Sequence, residues 1–189
     1  MKRIVILASG NGSNAERITT YFANNNDVEV VAFLTNKNTA KVLERAKRLG
    51  IPAFSFNKIA FSESDTVVRL LQSLKPDIIV LAGFLWKIPS SIVEAFPDKI
   101  INIHPALLPK YGGKGMYGNH VHQAVKDNDE TETGITIHYV NEHYDEGAII
   151  LQAKVAIQPS DDVERIAHKV HQLEYEHFPK TIEKLLESC

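Results

Sequence analysis

What most constrains the fold of this chain is a rhythm. Short runs of aliphatic, largely β-branched residues at 4–8, 28–34 and 78–82 are separated by stretches whose apolar residues recur at helical spacing. Runs of that kind, apolar on both faces, belong in a parallel sheet covered by helices on either side. Residues 53–56 and 100–103 read as two weaker strands. Between the strands, Val42, Leu43, Ala46 and Leu49 keep one helical face, with Gly50 as a stop and Pro52 beyond. Val67, Val68, Leu71 and Leu74 keep another, opened by the polar residues 62–65 and closed before Pro76. The pattern gives five strand–helix units up to about residue 103.

The rhythm then changes. Residues 104–118, rich in proline, glycine and tyrosine, read as a long structured loop. Residues 134–140 and 148–157 read as two further strands, antiparallel to one another, joined by a turn at 141–147. A last amphipathic stretch starts at 159–162 and carries Val163, Ile166, Ala167 and Val170 on one face. Pro179 is expected to kink or break it before Ile182, Leu185 and Leu186. No repeat, low-complexity tract or linker interrupts residues 1–189, which specify a single α/β domain. The expected architecture is a Rossmann-like, mostly parallel sheet with helices on both faces, antiparallel strands in the C-terminal part and a long terminal helix.

Composition narrows the function. At 189 residues and 44% apolar, the chain can bury one substantial core. A net charge of −2 with scattered basic residues leaves no footprint for nucleic acid or an anionic membrane. No apolar run approaches the ~20 residues that span a bilayer, and the N-terminal run reads better as a strand than as a signal peptide. The single cysteine, Cys189, excludes internal disulfides and cysteine metal clusters and suits a reducing cytoplasm.

The first strand runs into a glycine turn, RIVILASGNGSNAERI, residues 3–18. Free backbone N–H groups and a helix N-terminus at the carboxyl end of a strand suit an anion. Gly10 and Gly12 allow a tight turn and close approach, while Ser13 and Asn14 offer donors and helix caps. The spacing Gly10-x-Gly12-x-x-Ala15 matches a loose dinucleotide fingerprint, which needs a carboxylate about 20 residues on. Strand two ends in Phe33, Leu34, Thr35, Asn36 and Lys37, with its Glu29 at the wrong end, and no Gly-Lys-Ser/Thr follows the turn. What remains is a phosphate cradle for a ligand of mononucleotide size.

Strand five runs into INIHPALLPKYGG, residues 101–113. Strand alternation puts Asn102 and His104 on one face at the carboxyl end, where open α/β folds bind ligands. Pro105 holds His104 extended. An amide beside an imidazole can donate two hydrogen bonds to an oxygen that becomes negative. Asp145, in the 141–147 turn, is a candidate partner that would raise the pKa of His104 and make it a general acid. A metal set of His104, His138 and Asp145 lacks any supporting short-range pair, and His120 and His122 lie two apart beside a glycine; no metal is expected.

Taken in order, residues 10–14 (GNGSN), 81–84 (LAGF), 102–109 (NIHPALLP) and Asp145-x-Gly147 before 149–152 (IILQ) resemble the phosphoribosylglycinamide formyltransferase family over nearly the whole chain. The resemblance implies formyl transfer from 10-formyltetrahydrofolate, as co-substrate, to the amine of glycinamide ribonucleotide in purine biosynthesis. By motif match it implies that Gly12, Ser13 and Asn14 hold the ribonucleotide phosphate, with Glu174 as a further contact. It assigns Asn102 and His104 to the oxyanion, and to Asp145 the protonation of His104 and a proton relay. It places the folate among Leu85, Trp86, Ile88, Asn102, Val140 and Asn141. Partners are then small molecules only, and the chain a monomer or weak homodimer. Three features depart from the pattern. Loop 110–119 is long and glycine-rich; residues 60–65 lack an arginine for the folate tail, leaving Lys58 and Lys87; and Trp86 is unusual in the pterin segment. A formyltetrahydrofolate hydrolase would use the same Asn102, His104 and Asp145 but carries an extra N-terminal domain. A tRNA formyltransferase adds a basic C-terminal domain. Sugar-nucleotide formyltransferases fit the turn less well, and a non-enzymatic nucleotide-binding module leaves the polar triad unexplained.

Overall fold

The computed structural model describes residues 1–187; Cys189 lies outside them. One seven-stranded sheet runs in the order β3-β2-β1-β4-β5-β6-β7. Its parallel part comprises β1 (Lys2–Leu7), β2 (Val28–Thr35), β3 (Ala53–Ser55), β4 (Ile78–Leu81) and β5 (Ile100–His104). The last two strands, β6 (Glu132–Tyr139) and β7 (Ile149–Ala156), pair antiparallel. β1 sits between β2 and β4, so the strand order reverses there, and a crevice opens beyond its carboxyl end.

Alternation along β1 explains the two helical layers. Ile4, Ile6 and Ala8 face one core with residues of α1 (Ser13–Phe22), α2 (Val42–Leu49) and α7 (Val163–Glu187). Val5 and Leu7 face the other, with α3 (Lys58–Ser62), α4 (Thr66–Leu74) and α5 (Ser90–Ala95). Because both faces are covered, all of residues 4–7 are buried. β7 closes one edge of the sheet, and its side chains are half-buried or exposed.

The helices differ from expectation in three places. Residues 62–65 do lead into α4, with Asp65 at its N-cap position, but an unforeseen short helix, α3, comes before it, started by Asn57, whose side chain accepts from the Ala60 N–H at 2.9 Å. Ser13 and Asn14 do not cap α1: Gly12 holds that position in a left-handed conformation (φ 75°), without a side-chain cap. Pro179 does not break α7, which continues to Glu187. A proline leaves the carbonyl four residues earlier without its helical donor, and the Tyr175 carbonyl instead accepts from Arg17 Nε of α1 at 3.1 Å. The remaining helix, α6 (Asn119–Asp127), follows the loop that leaves β5.

Candidate active site

Register places the polar set. β5 pairs with β6 so that Asn102 lies opposite His138 and His104 opposite Thr136. The loop after β5 is tied to the same strands: Thr136 Oγ1 donates to the Ala106 carbonyl and accepts from the Leu108 N–H, while Gln152 Nε2 donates to the Leu108 carbonyl. The 141–147 turn delivers Asp145 from the other side, itself at φ 55°. Gly147 lets the turn press against β6, since a Cβ there would stand 1.7 Å from the Tyr139 carbonyl oxygen.

Asp145 therefore does reach His104, with Oδ2 3.6 Å from Nδ1. Its other oxygen lies 3.7 Å from His138 Nε2 and 3.5 Å from Asn102 Nδ2. His138 Nδ1 faces the Tyr139 carbonyl at 2.9 Å. Donating there leaves Nε2 free to accept from Asn102 Nδ2 at 3.1 Å, which fixes the orientation of the amide. His104 Nε2 donates to the Tyr111 carbonyl at 2.7 Å, and the Gly113 N–H donates to Asp145 Oδ2 at 2.8 Å.

The electrostatics correct one expectation. Burial outweighs the carboxylate at His104: desolvation pushes its pKa below the ordinary value, although Asp145 and the Tyr111 carbonyl pull it upward. Burial also works against the charge on Asp145, but the adjacent His138, the charge of His104 and the Gly113 N–H together hold its carboxyl below the usual range.

The glycine turn stands at the other end of the same hollow. At Gly12 a Cβ would meet Val42 Cγ2 at 2.5 Å, so the turn packs directly on the start of α2. Arg45 of α2 clamps it further, donating from Nε to the Asn11 carbonyl and from Nη2 to Asn11 Oδ1. The first N–H groups of α1 have no acceptor within the helix and open towards the hollow. Asn14 donates from Nδ2 to Glu174 Oε2 at 2.8 Å across to α7. Glu174 is buried, and desolvation raises its pKa.

A third arm is apolar. After β4, the Leu85 N–H donates to Ser9 Oγ, and the Ser9 N–H to the Gly83 carbonyl, joining the ends of β1 and β4. Trp86 lies beside Phe56, Phe61 and Phe84, with Lys58 Nζ 4.9 Å from its ring centre. Leu85 is exposed to the hollow, whereas Ile88 is buried and supports the arm from beneath. Lys58 and Lys87 share a smaller adjoining hollow with His143 and Glu142.

All the residues anticipated from sequence line one cavity of about 680 Å³: Gly12, Ser13, Asn14 and Glu174 at one end, Asn102, His104 and Asp145 at the centre, and Leu85, Trp86, Ile88, Val140 and Asn141 at the other. Sequence reasoning missed His138 except as a metal ligand, and missed the carbonyl of Tyr111 altogether. The alternation of β6 could have found His138, which sits opposite Asn102; no local signal marks a backbone carbonyl. Among the described residues, no group of three His, Cys, Asp or Glu side chains could hold a metal ion.

Residues 2–182 match the formyl transferase family. The chain is 38% identical to phosphoribosylglycinamide formyltransferase of Bacillus subtilis, over 98% of its own length and 95% of that protein. It is equally 38% identical to the chloroplastic phosphoribosylglycinamide formyltransferase of Arabidopsis thaliana, covering 98% of this chain and 66% of that longer protein. Its fold is similar to the crystal structure of phosphoribosylglycinamide formyltransferase from Streptococcus pneumoniae, with TM-score 0.87, 32% identity, and coverage of 98% and 99% of the two chains.

Proposed function

The chain belongs to the formyl transferase family, among its phosphoribosylglycinamide formyltransferases, and from that premise we propose that it moves a formyl group from 10-formyltetrahydrofolate to the amine of glycinamide ribonucleotide. The observation that carries the reading is the continuity of one cavity from the anion turn at Gly12, past His104, to the aromatic arm at Trp86. A phosphorylated amine and a bulky pterin can each be anchored at one end and meet at the centre. Residues 1–189 act as one catalytic unit on small molecules, in the cytoplasm, as a monomer or weak homodimer. Among the described residues, no helix is long and apolar enough to cross a membrane.

The chemistry follows from what the side chains offer. A neutral primary amine is already a nucleophile, so no activated serine or cysteine is needed. The ribonucleotide phosphate rests on the N–H groups of Ser13 and its neighbours, which directs the amine towards His104. As nitrogen attacks the formyl carbon, the carbonyl oxygen gains charge and takes hydrogen bonds from His104 Nε2 and the Asn102 amide. The Tyr111 carbonyl oxygen, 2.7 Å from Nε2, occupies such an acceptor position in this structure. Asp145 favours the imidazolium and receives the amine proton, which passes to the folate nitrogen as the C–N bond breaks. Held geometry supplies the rest of the rate.

The test is an absorbance assay with 10-formyl-5,8-dideazafolate, run with and without glycinamide ribonucleotide. Turnover that requires the ribonucleotide is expected. Turnover without it would identify a hydrolase, and no turnover in either case would remove the enzymatic reading.

A further inference from the structure

Four buried side-chain polar atoms lack a hydrogen-bond partner among the described residues: both amide atoms of Asn36, Thr133 Oγ1 and His122 Nδ1. Only His122 belongs to a residue that lines the large cavity. It is 2% exposed, on α6, immediately beyond the loop that carries Tyr111 and Gly113. A buried imidazole that merely filled the core would be satisfied by a neighbour.

Its position in the cavity is specific. The ring lies 6.4 Å from that of His171 on α7, nearly perpendicular to it. His171 is one helical turn before Glu174, which accepts from Asn14 of the anion turn. His104 also acts electrostatically on the His122 ring. His122 thus lines the cavity in reach of both groups, His171 one turn before Glu174 and His104 of the polar set.

We propose that His122 contacts the ribonucleotide, its Nδ1 hydrogen-bonding a neutral hydroxyl or amide group carried between the phosphate and the reacting amine. The inference rests on the ribonucleotide reading above. Burial, and the nearby His171 and His104, push the His122 pKa down to about 4, so the ring is uncharged near neutrality. An uncharged ring is a poor counter-ion for the phosphate and a good partner for the neutral stretch of the substrate that follows it. Its orphan Nδ1 is then satisfied only in the complex.

Calorimetric titration of the full chain with glycinamide ribonucleotide, and separately with a dideazafolate, tests this. His122→Leu is expected to weaken ribonucleotide binding about three- to tenfold, the worth of one hydrogen bond, and to leave folate binding within about twofold. His122→Asn, whose amide reaches the Nδ1 position, recovers most of the loss; His122→Gln, which reaches the other ring nitrogen, does not. Should the leucine variant fail to fold, the Asn and Gln variants decide alone. Unchanged ribonucleotide affinity, equal loss for both ligands, or equal behaviour of Asn and Gln would overturn the assignment. A wild-type chain that binds no ribonucleotide removes the functional reading itself, whatever the variants do.

Discussion

His104 Nε2 donates to the carbonyl oxygen of Tyr111 at 2.7 Å. Two residues further on, the Gly113 N–H donates to Asp145 Oδ2 at 2.8 Å. One short segment of loop therefore engages both His104 and Asp145. Tyr111 adopts φ 58° to do so, an unfavourable conformation for a bulky residue. Glu130 holds the segment from outside, accepting from the Tyr111 hydroxyl at 2.9 Å and from Lys110 Nζ at 2.7 Å. Burial and the hydrogen bond to Glu130 push the Tyr111 phenol up to about 12, so that it stays a donor throughout the working range.

An oxyanion at His104 has to displace that carbonyl. Saturation with a tetrahedral-intermediate analogue is expected to speed amide exchange at Gly113 by about tenfold, as the loop lets go of Asp145. Exchange followed by NMR checks this. Protection of Gly113 that is equal or greater in the complex would show that the loop keeps its grip during the reaction.

Asn102→Ala and His104→Ala are each expected to lower kcat by about 10²–10³, as for the loss of one oxyanion donor, while the protein still unfolds cooperatively. Asp145→Asn removes the carboxylate that lifts His104 against its burial. The His104 titration seen by NMR should then move to still lower pH. Steady-state rates near wild type in either alanine variant would refute the oxyanion assignment.

Stability should fall in mild acid because of His122. Its pKa is about 4 in the folded chain against 6.5 unfolded. The unfolded chain therefore binds the proton first, and stability is lost as pH drops from 6.5 towards 4. The full loss is on the order of 3 kcal/mol for a shift of this size. His104 acts in the same direction. Glu174 acts oppositely: with its pKa raised by burial, its contribution is present at low pH and lost as pH rises through that value. Thermal melting of His122→Asn isolates the term, since its midpoint should vary less over this window. Parallel curves for wild type and variant would refute the assignment.

The two glycines of the turn should separate sharply. Gly12 sits at φ 75°, and a Cβ there would approach Val42 Cγ2 to 2.5 Å and the Val42 Cα to 3.0 Å. Gly12→Ala is expected to cost about 1–3 kcal/mol of stability, and to raise the ribonucleotide KM by roughly tenfold through the displaced cradle. At Gly10 nothing lies within 4 Å of an added Cβ, so Gly10→Ala should change stability by no more than about 0.5 kcal/mol. Denaturant titration and KM for each substrate read the difference; similar effects from both would argue against a shaped phosphate seat.

Much of this was written locally. The double-faced apolar runs of β1, β2 and β4, the glycine turn, and the alternation that puts Asn102 beside His104 follow from periodicity and from the few conformations open to each residue. Sequence alone therefore determined the parallel sheet, the sheet edge at which open α/β folds bind ligands, and the identity of the polar groups there. The contacts between distant segments required the tertiary structure. Asp145 reaches His104 because β6 pairs with β5 and Gly147 lets the next turn press on Tyr139. α7 passes through Pro179 because Arg17, far away in the chain, takes the carbonyl that the proline leaves open. Burial at His104 reversed the pKa direction that its carboxylate neighbour implied. Desolvation and long-range hydrogen bonds depend on which segments surround a group, and that is set only when the whole sheet has assembled.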